Sequence, residues 1–310
     1  MTTKLPAKIA KSPKVYKNKN LNSGNFADFN LNDYQVFLHL ISKIEKKGAD
    51  GNYLTPILLQ REHELTAIEF AHIFNISPHK AYGVLNRAVN KLMKTDITIQ
   101  HPDIWNGQKV RINICSMAKY QDKEGKITVE FTDRIMPHLA QVKEKFVIYN
   151  LKEIANFGSL FTTRLYELIQ EFKDTGVLLI TVEKLREAFA VGTKHKLYAH
   201  FKDKTFAHAC DEINEKTDYG ISFTEIKTGR KVTSIQFEFK KTVIEKRFKA
   251  DGSQVNNYIK PKHNSDKIEA AKAIETPKKP APIIMQKPQK PHNPVAVEAI
   301  KNIRNMLAKK

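Results

Sequence analysis

Cysteine and long apolar runs are scarce in this sequence, and each shortage excludes a class of protein. The 310 residues include two cysteines, Cys115 and Cys210, and no Cys-x-x-Cys pair, which excludes zinc-finger and thioredoxin-like sites. We expect both cysteines to be small core residues rather than part of a disulfide framework. No stretch reaches the roughly 18–20 apolar residues of a membrane helix, and residues 1–20 lack the apolar segment of a secretory signal. We therefore expect a cytoplasmic protein with no membrane partner.

Basic residues outnumber acidic residues, and most of the excess positive charge lies at the two ends of the chain. The sequence has 52 Lys and Arg against 33 Asp and Glu, a net charge of +19. Residues 1–20 hold six lysines and no acid, and residues 246–310 hold 15 basic and 5 acidic residues, whereas residues 21–245 hold 31 and 28. Basic arms beside a balanced core suit a polyanion such as nucleic acid. The alternatives are a solubility tail and attraction to an anionic membrane surface.

Composition divides the chain into four segments, residues 1–25, 26–147, 148–245 and 246–310. Residues 1–25 are rich in Lys, Asn, Pro and Ser, which predicts a disordered basic arm. In the last segment, seven of the 13 prolines alternate with lysines, which predicts a Lys/Pro-rich linker. Apolar residues from Val295 onward have helical spacing and predict a short amphipathic C-terminal helix, which either docks on a partner or is only marginally stable.

The segment 26–147 contains the clearest helix of the chain. We predict helices over residues 31–45, 67–74 and 78–94, and Ser77 and Pro78 suit the cap and the first position of the third helix. That helix has one apolar stripe, formed by Ala81, Leu85, Ala88 and Leu92. Its opposite face offers donors and cations but no acid, and it fits the major groove of DNA. The candidate DNA-binding residues at its start and on this face are Ser77, His79, Lys80, Asn86, Arg87 and Asn90. The alternative is an ordinary solvated face.

Strand patterns follow this helix. Residues 96–100, 110–120 and 127–132 alternate and are rich in β-branched side chains, and a Lys-Glu-Gly turn lies at 123–125. A short helix, a turn, a longer helix and then a β-hairpin is the arrangement of a winged helix.

The same order of element types occurs again in the segment 148–245. We predict helices over residues 160–172 and 182–190, a strand over 177–181, and a basic helix that runs to about Asn214. Strands are predicted over residues 219–226 and 231–240, and Gly229 permits the tight turn between them.

In the basic helix, Phe206, Ala209, Cys210 and Ile213 form the predicted apolar face, and Phe201, Lys204, Thr205 and His208 are expected opposite it. Cations crowd its N-terminal half, where a recognition helix usually enters the groove. The candidate DNA-binding residues of the segment are Lys194, Lys196, His200, Lys202, Lys204, Thr205, His208, Lys227, Arg230 and Lys231. The alternative for the last three is an ordinary soluble turn.

The second segment also carries a resemblance to a known family. Its motifs are Phe161-Thr162-Thr163-Arg164-Leu165-Tyr166-Glu167-Leu168, Leu185-Arg186, Phe201-Lys202, Asp211-Glu212-Ile213-Asn214 with Thr217, and Gly229-Arg230-Lys231. With these motifs the chain resembles, over about residues 25–245, the plasmid replication initiators of the Rep 3 superfamily, which include the iteron-binding Rep proteins. The family has two winged helices in tandem, as the segments predict. We therefore expect an α+β protein with two tandem winged-helix domains (helix-turn-helix plus β-wing) and disordered basic N- and C-terminal arms.

The resemblance implies a function and partners. Members bind repeated sites in double-stranded DNA at a plasmid origin, help to open an A/T-rich segment, and recruit the host initiator and the replicative helicase. A homodimer in equilibrium with the monomer represses the initiator gene in such systems. The second domain usually dominates base reading, through a basic cluster that matches Lys202-Asp203-Lys204 here. Asp203 departs from that pattern, and lysines stand where arginines are common, which puts base specificity in doubt at these positions but not phosphate binding.

The two alternative classes of function are a rolling-circle initiator and a winged-helix transcription regulator. A rolling-circle initiator that nicks DNA needs a His-apolar-His pair for its metal ion, and none of the 11 histidines has such a partner. A Gly-x-x-x-x-Gly-Lys-Ser/Thr loop for ATP is also absent. We therefore expect no enzyme activity, no metal ion and no cofactor. A winged-helix transcription regulator without a role in initiation has the same sequence pattern, and direct repeats beside the gene would favour initiation over it.

Overall fold

The computed structural model describes residues 13–22, 24–26, 29–45, 47, 52, 54–100, 108–140 and 146–241, and the backbone of 247–248 and 254–255. By its internal contacts the chain divides into two compact units, residues 1–262 and 263–310, and every described residue lies in the first. The predicted C-terminal helix and nearly all of the predicted linker therefore lie outside the described residues. The exceptions are Arg247–Phe248 and Gln254–Val255, two short strands that pair with each other.

The first domain has the element order of a winged helix. Strand β1 (Lys14–Asn18) and the short helix α1 (Lys19–Asn22) precede it. Its elements are α2 (Leu31–Ser42), β2 (Glu62–Thr66), α3 (Ala67–Phe74), α4 (Pro78–Lys94), β3 (Asp96–Gln100), β4 (Lys109–Asn113), β5 (Cys115–Gln121), β6 (Lys126–Phe131), α5 (Met136–Ala140), β7 (Phe146–Asn150) and α6 (Leu151–Ile154). Strands β2, β6 and β5 form an antiparallel sheet in that order. The predicted bounds of α3 and α4 are confirmed.

Helix α4 forms as its sequence predicts. The Ser77 hydroxyl accepts a hydrogen bond from the backbone N–H of Lys80, and Pro78 occupies the first helical turn. The four stripe residues Ala81, Leu85, Ala88 and Leu92 are all fully buried. Burial of this stripe fixes the rotation of the helix and leaves its acid-free face exposed.

The predicted strand over residues 110–120 is wrong as a single element. Its first half is β4, which pairs with β3 in a separate hairpin, and its second half is β5, which pairs with β6. The division falls at Ile114, whose carbonyl accepts from the backbone N–H of Thr132, while the Thr132 hydroxyl donates to the carbonyl of Asn113 at 2.7 Å. These two bonds end the pairing of β4 and direct the chain into the second sheet.

The second domain repeats the architecture. Its elements are α7 (Leu160–Glu171), β8 (Val177–Thr181), α8 (Val182–Ala188), α9 (Tyr198–Phe201), a π-helical turn (Lys202–Ala207), α10 (His208–Lys216), β9 (Tyr219–Thr228) and β10 (Lys231–Lys241). The sheet order is β8-β10-β9, and both pairings are antiparallel. The predicted strands and helices are present, with ends that differ by no more than about two residues except around the π-helical turn.

The predicted disordered arm over residues 1–25 is wrong from Lys14 onward. Residues Lys14–Asn18 form β1, which pairs antiparallel with β7, and α1 follows directly. Lys17 and Asn22 are buried although both are polar. The composition of this segment is that of a disordered arm, but its polar side chains have buried partners elsewhere in the chain. Strand β7 also spans the predicted boundary between residues 147 and 148, so the exact limits of the two domains stay a prediction.

None of the helices in the described part of the chain is both long enough and apolar enough to cross a membrane.

Candidate nucleic-acid interface

Most of the candidate DNA-binding residues are exposed. In the second domain the exposed candidates are Lys194, Lys196, His200, Lys204, His208, Lys227, Arg230 and Lys231, and in the first domain they are Ser77, His79, Lys80, Asn86, Arg87 and Asn90. Lys202 is partly buried, and Thr205 is fully buried. The surface that the sequence predicts is therefore available for contact at all but these two positions.

Thr205 is not a contact residue, and the expectation that it lies on the exposed face is wrong. Its relative exposure is 0%, as is that of Phe201. The Thr205 hydroxyl donates to the backbone carbonyl of Phe201 at 2.5 Å. The hydroxyl is therefore satisfied within the helix and is not available to DNA.

The π-helical turn is the reason for this difference. In a regular α-helix, residues five apart point about 140° away from each other, because each residue advances the helix by about 100°. Phe201 and Phe206 are five apart and are both fully buried, with their rings in edge contact at 5.5 Å between centroids. A π-turn adds one residue to the turn and brings such a pair onto one face. The register predicted from Phe206, Ala209, Cys210 and Ile213 therefore holds only after the turn.

Lys202 is held against the wing rather than extended into solvent. Its ammonium group lies 3.1 Å from the Glu225 carboxylate and 5.8 Å from the centre of the Phe223 ring. The Tyr198 hydroxyl donates to the same carboxylate at 3.0 Å. Burial, followed by Glu225 itself, raises the pKa of Tyr198, which therefore stays a neutral donor. Lys202 and Tyr198 of the basic helix thus both bind the Glu225 carboxylate on β9.

The wing of the second domain lies beside this end of the helix. Successive side chains on one face of a strand are two residues apart, so Lys227 shares the face of Glu225, at a distance along the strand of about 6–7 Å. Gly229, at φ +62°, forms the turn that leads into Arg230 and Lys231, and all three are exposed. The contact of Lys202 with Glu225 therefore places the start of the basic helix and the cationic wing on the same side of the domain.

The loop before the basic helix is shaped by Arg186, which sequence reasoning did not select as a site residue. Its guanidinium donates to the backbone carbonyls of His195 at 2.8 Å and Lys196 at 3.4 Å. It also stacks over the Phe201 ring, 4.1 Å from the ring centre. Arg186 thus positions the loop that carries Lys194 and Lys196. The sequence feature that could have identified Arg186 as a site residue is its place in the Leu185-Arg186 motif.

The two domains differ in the charge of their wings. The first wing contains Asp122, Lys123 and Glu124, and Lys126 beside it lies 2.7 Å from Glu124 and 3.1 Å from Glu64. Lys126 is therefore paired with acids, and the turn of the first wing carries acids of its own, whereas the turn with the exposed cations of the second wing has none. In the first domain, helix α4 carries exposed cations and no acid from Pro78 to Lys94.

Metal binding and thiol reactivity are the alternatives to DNA contact among the described residues. They contain no group of three or more His, Cys, Asp or Glu that is placed to hold a metal ion. Burial raises the pKa of the Cys115 thiol to about 12, and burial together with the nearby Asp211 raises that of Cys210 further. Both thiols are therefore protonated and inert at neutral pH, as expected of core cysteines.

Comparison with known families identifies the chain. The model described as "Initiator Replication protein, WH1" matches residues 14–170, and the model described as "Initiator Rep protein, WH2" matches residues 181–239. Together these two matches span more than half of the chain. The chain belongs to the Rep 3 family of plasmid replication initiators. The family resemblance of the sequence and the tandem winged-helix fold are thereby confirmed.

Individual relatives of this Rep 3 initiator agree with the assignment. It is 25% identical to the PI protein of Escherichia coli in an alignment of 283 residues that covers 81% of this chain and 90% of that protein. It is 32% identical over 112 residues to a replication initiation protein of Escherichia coli, which is 36% of this chain and 34% of that protein. A crystal structure of the Pi initiator protein in complex with iteron DNA has the same fold, with a TM-score of 0.62 at 24% identity over 74% of this chain and 97% of that one.

Proposed function

We propose that this Rep 3 initiator binds repeated double-stranded sites, the iterons, at a plasmid origin and that its second domain makes the dominant contacts. The observation that carries the proposal is the joint surface of basic helix and wing, which Lys202 and Glu225 hold on one side of the domain. A helix end rich in cations beside a cationic wing matches a major groove flanked by phosphates. The relative crystallised with iteron DNA supports the same assignment.

The contacts sort into two kinds by side-chain chemistry. Lys204, Lys227, Arg230 and Lys231 are exposed cations, and we assign them to phosphates, which position the protein without reading sequence. His200 and His208 are exposed on the same helix and can meet base edges. In the first domain we assign His79, Lys80 and Arg87 on α4 to a second, weaker contact.

Footprinting on the DNA that flanks the gene tests this proposal. At low protein concentration we expect protection of direct repeats, and at higher concentration we expect protection of an inverted repeat near the promoter. Protection of a lone palindrome without direct repeats would instead favour a transcription regulator.

Two substitutions link the footprint to the second domain. Lys204→Ala and Arg230→Ala should each weaken binding to a short duplex that holds one repeat by about 3- to 30-fold, because each removes a phosphate contact. The matched control is the tail pair Lys278→Ala with Lys279→Ala, which should leave binding to the short duplex nearly unchanged. Equal losses in the two sets would assign the DNA contact to the tail.

The finer steps of initiation belong to the same proposal. We infer that the protein acts in the cytoplasm, that a homodimer in equilibrium with the monomer represses the gene, and that the host initiator and replicative helicase are recruited to the opened origin. We also infer that the protein itself performs no strand cleavage. Incubation of supercoiled origin plasmid with the protein and Mg²⁺ or Mn²⁺ should leave the plasmid closed, and a covalent protein–DNA adduct would contradict this inference.

A further inference from the structure

Side chains from both domains meet in a buried charged cluster that the DNA-binding surface does not use. Its centre is Arg164 and Glu167 on α7, with relative exposures of 1% and 0%. Helix α7 packs on the second domain, although the first family model extends to residue 170 and includes nearly all of this helix: Thr162 donates to the Glu212 carboxylate of α10, and Tyr166 packs against Tyr219 of β9. Arg164 and Glu167 point the other way, towards elements of the first domain.

Arg164 binds three separate parts of the chain at once, through four acceptors. Its guanidinium donates to the carbonyl of Asn22 at 2.5 Å, to the carbonyl of Gly24 at 2.9 Å and to the Tyr34 hydroxyl at 2.7 Å. Its Nε donates to the carbonyl of Ala188 on α8 at 3.1 Å. Three of these acceptors lie at the N-terminal end of the chain or on α2, and the fourth lies in the second domain. The planar fork of an arginine suits such a junction, since its donors are fixed in direction.

Glu167 completes the junction from the acidic side. Its carboxylate accepts from the Tyr34 hydroxyl at 2.6 Å and from the Tyr149 hydroxyl of β7 at 2.6 Å, and it lies 2.5 Å from the Lys17 ammonium of β1. Burial acts to raise the pKa of Glu167, but Lys17 and Arg164 outweigh it and hold that pKa below its ordinary value. The carboxylate is therefore charged and has partners from three elements of the first domain.

The N-terminal segment supplies the remaining contacts. The Asn22 amide donates to the Glu167 carbonyl at 2.9 Å and to the Glu171 carboxylate at 2.6 Å. The Lys19 ammonium donates to the Glu171 carbonyl at 3.1 Å. Residues 14–18 thus pair with β7, whereas Lys17, Lys19, Asn22 and Gly24 bind residues of α7. Charged groups buried without such partners are strongly unfavourable, so this arrangement is stable only while both domains are docked.

We propose that residues 14–22 and Gly24 form a clasp that holds the two winged helices in one fixed arrangement, and that Arg164 and Glu167 are positioning residues for DNA contact by both domains at once. The second part rests on the proposed function. Two sites on a rigid body bind with a high effective concentration, and this gain is lost when their spacing is not maintained. The clasp therefore increases affinity without a contact of its own to DNA.

A distance measurement without DNA tests the clasp. Spin labels placed by Lys123→Cys in the first wing and Asp174→Cys after α7 report the distance between the domains, because both positions are exposed and both native cysteines are buried. With labelled chains diluted in an excess of unlabelled chain, so that distances between the copies of a dimer do not contribute, we expect one narrow distance distribution in the otherwise unchanged chain and a broad one in Glu167→Gln. The matched control is Glu212→Gln, which also alters a buried carboxylate, but one whose partners Gly158, Thr162 and Lys216 lie within the second domain. It should keep the narrow distribution.

Milder substitution keeps the test decisive if Glu167→Gln does not fold. Tyr34→Phe removes one hydroxyl from both Arg164 and Glu167 and keeps the ring, and it should broaden the distribution in a chain that remains folded by circular dichroism. A narrow distribution in folded Glu167→Gln or, where that variant does not fold, in Tyr34→Phe would overturn the proposal.

Binding to DNA then separates the clasp from the proposed function. The wild-type chain should bind a duplex that covers the whole footprint at least about 100-fold more tightly than one that covers only the second-domain part, and Tyr34→Phe should reduce this ratio by about 10-fold or more. Glu212→Gln should preserve the ratio. Absence of specific binding by the wild-type chain would refute the proposed function and leave the distance result intact. An unchanged ratio in Tyr34→Phe would refute the positioning role.

Discussion

His39 is a single residue whose burial sets a pH limit on the stability of the first domain. Its ring is 4% exposed and stacks against Phe70, at 6.2 Å between ring centres. Burial, with a smaller contribution from Lys43, lowers the pKa of His39 to about 3, whereas Glu69 acts to raise it. In the unfolded chain a histidine titrates near pH 6.5, so between about pH 6.5 and 3 the unfolded state binds a proton that the folded state does not.

The sign of this linkage predicts acid destabilisation. As the pH falls from about 6.5, the free energy of unfolding should decrease by up to about 1.4 kcal/mol per pH unit from this group alone. Urea unfolding between pH 6.5 and 5, where most carboxylates stay ionised, measures it. His39→Leu should flatten the dependence in this window, and His72→Leu, at an exposed position of α3, should not. Parallel curves for the wild type and His39→Leu would refute the assignment.

Glu225 restrains a cation that could otherwise reach DNA. Because Lys202 lies 3.1 Å from its carboxylate, Glu225→Gln should release the ammonium group for a phosphate contact. Affinity for the iteron duplex should rise, and the slope of the logarithm of the binding constant against the logarithm of salt concentration should become steeper by about 0.9. Glu238→Gln on β10 removes the same charge away from Lys202 and should cause a smaller change. Equal effects of the two substitutions would mean that only net charge matters.

The exposure of individual residues could be predicted from the sequence where a helix is regular, but not where a π-helical turn interrupts it. Ser77, Pro78 and the stripe from Ala81 to Leu92 specify both the start and the rotation of α4. The prediction for Thr205 is wrong because the π-turn accompanies the packing of Phe206 against Phe223 and Phe237 of the distant strands. Helical spacing alone does not contain this cause.

At the scale of elements, the two wing turns form a natural pair for comparison. Gly125 and Gly229 both have positive φ, at +57° and +62°, where a side chain costs about 1–2 kcal/mol. A Cβ on Gly125 would lie 2.0 Å from Cε1 of Tyr82 on α4, whereas a Cβ on Gly229 would meet nothing within 4 Å. Gly229→Ala should therefore cost only the backbone penalty, and Gly125→Ala should cost at least about 1 kcal/mol more.

A double-mutant cycle isolates the contact from the backbone effect. Chemical denaturation of Gly125→Ala should show the additional loss in the wild-type background and lose it in a Tyr82→Ala background. The same cycle with Gly229→Ala should be additive, since Tyr82 does not approach that turn. An additive cycle for Gly125 would mean that the exposed Tyr82 ring, or the wing itself, moves aside without cost.

Element order was accessible from the sequence, but the pairing of β1 was not. The order of helix, turn, helix and hairpin depends on local periodicity and turn residues, and it occurs twice. Strand β1 has the composition of a disordered arm. The partner that stabilises its Lys17, Glu167, lies about 150 residues away along the chain, so local composition could not reveal the pairing. Local reasoning likewise treated residues 110–120 as one strand, which is wrong, since the change of sheet at Ile114 depends on Thr132.

For the whole molecule, net charge and its placement predict how binding depends on salt. The described domains contain most of the acids, and the excess of +19 lies largely in residues 1–20 and 246–310. If about 6–8 phosphates are neutralised in the specific complex, the logarithm of the binding constant should fall against the logarithm of salt concentration with a slope of about −5 to −7. Lys204→Ala should make the slope shallower by about 0.9 on a duplex limited to the footprint.

The length of the DNA distinguishes the terminal segments from the domains. On a duplex that extends well beyond the footprint, the basic residues of 246–310 can reach additional phosphates, so the slope should become steeper than on the short duplex. Substitution of Lys278 and Lys279 by alanine should reduce this additional slope and leave the short-duplex value unchanged. Fluorescence anisotropy from 50 to 300 mM NaCl on both duplexes measures all four slopes. A slope near zero on the short duplex would contradict an electrostatic interface formed by the basic helix and the second wing.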